Sequence, residues 1–127
     1  MTLTIPDISI SSNALYAGTH PMKRRKIVNA WHSMVVKCIK MQRIGRWTAS
    51  FPVDIDVTCL FGKGRRIMDA DNLQATAKMS IDSLRLAGVI PDDSPKYVRS
   101  VKLTALKAQD GKTRTLVTIK EVMKNEH

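Results

Sequence analysis

Aromatic side chains are scarce in this 127-residue chain: two Trp, two Tyr and two Phe. A protein that holds single-stranded nucleic acid by stacking bases on rings needs more ring surface than that. Cysteine is equally scarce. Cys38 and Cys59 have no Cys or His neighbour at zinc-ligand spacing and sit among apolar residues. Both are therefore expected as reduced core thiols of a cytoplasmic protein, not as a zinc site or a disulfide framework. No apolar run approaches the roughly 20 residues of a membrane span. Met1 to Asp7 carry neither the basic region nor the apolar run of a secretory signal. His20, His32 and His127 stand apart from any nucleophile or ligand motif, which gives no support to a triad or an imidazole metal site.

Acidic residues are also in the minority. Eleven Asp and Glu face 21 Lys and Arg, a net charge of +10. That balance points to a polyanionic partner, most simply nucleic acid. With so few rings, contacts to the backbone of a duplex or a junction are expected to dominate.

The length suits one domain over residues 1–127, with no repeat or linker to divide it. Leu3 and Ile5 alternate with Thr2 and Thr4, a short strand, and a loop is expected from Ser9 to Pro21. From Lys23 to about Gln42, Ile27, Ala30, Trp31, Met34, Val35 and Cys38 recur at helical spacing, with Gly45 as the expected stop. Trp31 and Met34 suit the core or a dimer interface. Val53, Ile55, Val57, Cys59 and Phe61 alternate with polar neighbours, the clearest strand signal in the chain. A second helix is expected from about Asn72 to Ala87, capped by Asp69 or Asp71 and ended by Gly88. Strands near 97–108 and 114–122 follow, joined as a hairpin around Asp110-Gly111. The order β-α-β-α-β-β predicts an α+β domain, two helices packed on one mixed sheet.

The carboxylates are not spread evenly. Asp54, Asp56, Asp69, Asp71, Asp82, Asp92 and Asp93, seven of the 11 acids, lie within one third of the chain. Grouped carboxylates in a cationic protein are reasonable ligands for a hard divalent cation such as Mg²⁺. In Asp69-Ala70-Asp71-Asn72-Leu73-Gln74, an extended segment would point Asp69 and Asp71 the same way. Asp92-Asp93 follows the helix. Taken singly, the first motif suits a helix cap and the second a solvated turn. Asp54 and Asp56 lie on the polar face of the strand, where salt bridges to lysines of the last strands suit them equally well.

Together these segments resemble the RusA family of Holliday junction resolvases. The resemblance rests on Arg65-Arg66, the Asp-x-Asp-Asn-Leu-Gln run, an amphipathic helix, Ala87-Gly88 and Asp92-Asp93. It extends upstream to Ser12-Asn13-Ala14-Leu15-Tyr16 and downstream through the last strands, nearly the whole chain. It implies a RusA-like fold and a Mg²⁺-dependent homodimeric endodeoxyribonuclease, with Mn²⁺ as a substitute metal and no small-molecule cofactor. Such an enzyme makes paired nicks in four-way junctions and other branched DNA, in recombination and repair. Asp69, Asp71 and Asp93 would be its catalytic metal ligands, and a bacterial, phage or prophage setting would fit. The family's catalytic lysine stands four residues after the second aspartate, and here that position is Ala75. Lys78 is the nearest lysine on the same helix stripe, about 10 Å along the axis from Asp71, and is the candidate replacement. A salt bridge from Lys78 to Asp82 is the plainer role.

Lys63, Arg65 and Arg66 before the acidic motif, and Lys23, Arg24, Arg25 and Lys26 at the start of the first helix, are the candidate DNA contacts. Asn13 joins them through the family resemblance. Such contacts set affinity and salt dependence. Two other readings stay open on sequence grounds: a dimeric DNA-binding protein without catalysis, and a basic RNA-binding protein of the translation machinery.

Overall fold

The computed structural model describes residues 1–122, so His127 lies outside the described part. The elements are β1 (Thr2–Ile5), α1 (Ser12–Ala17), α2 (Pro21–Met41), β2 (Val53–Phe61), α3 (Ala70–Leu86), β3 (Val98–Lys107) and β4 (Arg114–Glu121). They form a small α+β domain, a four-stranded mixed sheet in the order β1-β4-β2-β3 with three helices. The additional helix, α1, lies where the sequence predicts a loop. Ser11 starts it by accepting the Ala14 N–H at 3.1 Å, and fully buried Leu15 anchors it in the core.

The period-two pattern of β2 is realised in full. Val53, Ile55, Val57, Cys59 and Phe61 are completely buried, while the residues between them are partly exposed on the other side of the sheet. Both cysteines are free thiols, and burial pushes the Cys59 thiol above its ordinary value. β2 runs parallel to β3 and antiparallel to β4. A parallel pair requires a crossover, which α3 supplies.

One expectation is corrected here. Asp110-Gly111 does turn the chain between the last two strands, but β3 and β4 do not pair, because β2 lies between them. The connecting turn instead crosses the end of β2. Ala108 N–H donates to Phe61 O at 2.8 Å, Lys63 N–H to Gly111 O at 2.9 Å and Gly62 N–H to Thr113 Oγ1 at 3.0 Å. Gly62 permits the crossing. A Cβ there would run into Gly111 O and would stand 2.6 Å from Thr113 N.

The helix ends divide in the same way between expectation and finding. α3 stops as expected, with Gly88 at φ 77° and Val89 N–H donating to Leu84 O at 2.9 Å. α2 ends at Met41, beside the expected Gln42, but Gly45 is not its stop. Arg43, at φ 55°, takes the left-handed position and Ile44 N–H closes the turn on Ile39 O at 3.0 Å.

α2 and α3 meet along a seam of small and hydroxyl residues. Trp31, 5% exposed, belongs to the core and donates its indole N–H to Ser80 Oγ at 3.2 Å. Ser80 and Ser83 donate to the carbonyls of Thr76 and Met79, one turn back in their own helix, so these buried hydroxyls leave no donor unmatched. Among the described residues, no helix is long and apolar enough to cross a membrane.

Gly62→Ala is expected to lower the urea midpoint by the equivalent of about 1–3 kcal/mol, the usual cost of overpacking. Gly45→Ala is the control. Nothing lies within 4 Å of a Cβ at that position, and a change within about 0.5 kcal/mol is expected.

Candidate active site at the start of helix α3

Leaving β2 through Gly62, the chain forms the basic loop of Lys63, Arg65 and Arg66 and enters α3 at Ala70. The helix therefore begins two residues earlier than its sequence pattern suggests. Asp69 occupies the N-cap position with an extended backbone, φ −64° and ψ 153°, yet its side chain makes no capping bond. Asp71 lies within the first helical turn. The premise of an extended segment through both acids does not carry over, because Asp71 is already helical. Among the described residues, no three His, Cys, Asp or Glu side chains form a group that could hold a metal ion. Asp69, Asp71 and Asp93 are thus not gathered into one set.

A different grouping is present. A cleft of about 350 Å³ opens between α3 and β3, and its polar lining consists of Gln74, Lys78 and Asp93. Ala77, Ile81 and Val101 contribute to its apolar walls. Asp71, Gln74 and Lys78 follow one another at i, i+3 and i+7 and are all exposed, so Asp71 continues the stripe that borders the cleft. Lys78 makes no salt bridge to Asp82. The ion pairs of the described residues lie elsewhere, at Arg65–Asp7, Arg99–Asp54, Arg114–Asp110 and Lys120–Asp56.

The two acids of the following turn have separate roles. Asp92 accepts the Asp93 backbone N–H at 2.8 Å, the leading reason its carboxyl is held below the ordinary carboxylate range. Asp92 thereby shapes the turn, and Asp93 borders the cleft.

Ala75 corrects a further expectation. It shares a helical stripe with Asp71 and Lys78 by angle, but it is only 1% exposed, and its N–H donates to Ser12 Oγ at 2.9 Å. One turn earlier, Asn72 Oδ1 accepts the Asn13 N–H at 3.3 Å. The start of α1 is therefore latched onto the first turns of α3, at the backbone of buried Ala75. Asn13 meets the site through its backbone. The sequence marks Ser12 and Asn72 as parts of motifs, but no local signal in it reveals this latch.

The basic residues also separate. Arg24 donates to Leu15 O and Tyr16 O, both at 3.1 Å, and lies over the Tyr16 ring at 5.6 Å, so it ties α2 to α1. It serves the fold, which removes it from the free cations of that run. Lys23, Arg25 and Lys26 remain exposed, as do Lys63 and Arg66, and none of these enters an ion pair among the described residues. Arg65 is held only loosely, 3.4 Å from Asp7 with both side chains well exposed.

Asp54 and Asp56 serve the sheet. Arg99 donates to both oxygens of Asp54, at 3.0 and 2.5 Å, and Ser100 adds a third bond at 2.7 Å. These bonds, Arg99 first, hold the Asp54 carboxyl below its ordinary range. Asp56 pairs with Lys120 at 2.5 Å, a lysine of the last strand. Compared with known proteins, the chain matches no family model and no curated protein sequence.

A depressed carboxyl adds stability above its unfolded pKa and loses it as pH falls through the folded value. Asp54→Asn is therefore expected to lower the melting temperature at neutral pH by the equivalent of about 1 kcal/mol or less, given its partial exposure. The gap should close as pH falls below about 4. Thermal melts of both proteins across that range check it. Ala75→Lys is expected to destabilise by at least about 2 kcal/mol, since it buries an ammonium without a partner. Chemical denaturation would expose the opposite case, a variant as stable as the parent.

Proposed function

We propose that this chain is a Mg²⁺-dependent DNA endonuclease of the type its RusA-family resemblance implies, acting on branched DNA such as four-way junctions as a homodimer. One observation carries the reading. Lys78 and Asp93, drawn from separate motifs, border a single cleft beside the exposed Asp71 stripe in a chain of net charge +10.

The donor chemistry suits a hard cation. Asp69 and Asp71 are exposed, and their carboxylates accept no hydrogen bond from the described residues. Mg²⁺ commonly takes only one or two carboxylates and fills its remaining positions with water and phosphate oxygens. Asp69, Asp71 and Asp93 are the residues that would hold it, although they form no ready three-carboxylate group. When bound, the cation would activate water and offset charge on the phosphate. The protein's own contribution is electrostatic. Lys63, Arg65 and Arg66 sit just ahead of the site and hold the phosphate backbone, while the Lys78 ammonium stabilises negative charge developing at the reacting phosphate.

A second reading, a dimeric DNA-binding protein without catalysis, draws support from Ala75. The position of the family's lysine is buried beneath the α1 latch. A four-way junction and a linear duplex, each incubated with and without Mg²⁺, separate the two. Nicking of the junction in Mg²⁺ supports the enzyme, and junction binding that persists in EDTA without nicking in Mg²⁺ supports the binding protein.

Under the first reading, Asp71→Asn abolishes nicking while junction binding is retained or tightened. Lys78→Ala lowers the single-turnover rate by about 10²–10³-fold at saturating Mg²⁺ with little change in binding. A Lys78→Ala protein that nicks at the parent rate removes Lys78 from the mechanism. Replacing Arg65 and Arg66 together by Ala should reduce the slope of log affinity against log salt by about one unit for each phosphate no longer neutralised.

A further inference from the structure

The crossing at Gly62 stacks two basic segments on each other. Residues 62–66 and 107–114 carry Lys63, Arg65, Arg66, Lys107, Lys112 and Arg114 against one acid, Asp110. Their backbones are joined by the bonds from Lys63 N–H to Gly111 O and from Gly62 N–H to Thr113 Oγ1. The approach is close: a Cβ on Gly111 would stand 3.7 Å from the Lys63 Cβ. The acid is already engaged. Arg114 donates to both Asp110 oxygens, at 2.8 and 3.0 Å, and the Lys112 N–H adds a bond at 3.0 Å. Lys63, Arg66, Lys107 and Lys112 are exposed and enter no ion pair among the described residues.

The strand register puts this patch beside the cleft. Lys107 is the partner of Phe61 at the end of the parallel β2–β3 pair. By strand periodicity it shares a face with Val101 and Leu103, which line the cleft. A helix that connects parallel strands runs back along them, so α3 starts at the end of the sheet where β2 and β3 finish. Lys107 therefore extends the β3 wall of the cleft toward the helix turn that carries Asp71, and the stacked turn brings Lys112 to the same end. The far side of the sheet differs in kind. β1 has no charged residue, and Gln42 binds both backbone groups of its Thr4, Oε1 accepting the N–H at 2.9 Å and Nε2 donating to the C=O at 2.5 Å.

We propose that Lys107 and Lys112 join Lys63 and Arg66 in one phosphate-binding surface that seats a duplex arm of DNA beside the cleft. Charge complementarity selects the occupant. Four cations on two stacked segments face a backbone that carries one negative charge about every 1.7 Å along its axis. Neither segment contains an aromatic ring, so the surface offers backbone contacts without base stacking, which favours a duplex over a single strand. The inference rests on the DNA reading above and adds to its basic loop two lysines from the other end of the chain, which no motif marks.

The test measures binding in EDTA, so nicking does not enter it. Fluorescence anisotropy with a four-way junction, a linear duplex and a single strand gives log affinity against log salt for the full chain. Lys107→Ala with Lys112→Ala should reduce the slope by about two units on the junction and the duplex, one for each phosphate no longer neutralised. Lys107→Arg with Lys112→Arg should keep the parent slope. Lys102→Ala is the control. Lys102 lies on the same strand but on the opposite face, beside Asp56, and its loss should leave the slope unchanged. Thermal melts check that each variant folds. Should the Ala pair fail to fold, Lys107→Gln and Lys112→Gln are read singly, at about one unit each. An Ala pair with the parent slope, a Lys102→Ala loss of about one unit, or a loss seen on the single strand but not on the duplex overturns the proposal. A parent chain that binds none of the three DNAs overturns it together with the DNA reading. Slopes that fall as expected in a protein that never nicks in Mg²⁺ sink only the nuclease.

Discussion

The chain crosses itself at Gly62, and the arrangement of the site follows from that crossing. β2 can lie between β3 and β4 only if the turn joining those two strands passes over its end. The space left by an absent Cβ brings the Gly111 carbonyl and Thr113 within hydrogen-bonding reach of residues 62 and 63. With β2 central, the chain leaving it enters the basic loop and then α3, and the parallel return to β3 places Asp93 and Val98 beside α3. The juxtaposition of Lys78 with Asp93 is therefore a property of the topology. A β3–β4 hairpin in place of the crossing would put a different strand next to β2 and remove β3 from its place against the cleft.

A second layer of organisation comes from short polar side chains that connect elements at their ends. Ser12 and Asn72 hold α1 against α3, and Arg24 holds α2 against α1. Together they tie the basic start of α2, through α1, to the helix turns that carry Asp69 and Asp71. None of these links buries much apolar surface. Their effect is to fix orientation, which matters where charged groups must converge on a phosphate. Buried Ala75 belongs to this arrangement, because its N–H is the group that Ser12 reaches.

Much of this fold is readable in the sequence, for identifiable reasons. β2 is evident because alternation over nine residues has one physical solution when one face is buried, and α3 ends at Gly88 because the left-handed turn favours glycine. The lysine of the last strand that meets Asp56 is also foreseeable from the polar face of β2. Other features depend on information that local patterns lack. Asp110-Gly111 marks a turn, but no turn signal reveals whether a third strand will insert between the strands it joins. Helical angle puts Ala75 on the Asp71–Lys78 stripe without showing that it is buried, with its N–H bonded to Ser12. The extended run expected through Asp69 and Asp71 is cut short by a helix that starts two residues earlier and takes in Asp71. At the site, Lys78 and Asp93 line one cleft although the motifs that single them out lie apart in the chain, whereas the role of Arg24 changes once its carbonyl partners are known.

Gln42 also bears on how large an assembly the sheet can join. A sheet with two open edges can add neighbours on both sides without limit, the geometry of a filament. Here a single amide occupies both backbone groups of Thr4, so the β1 edge is closed to a further strand at that residue. The side chain that finishes α2 thus also acts as a terminator against open-ended polymerisation.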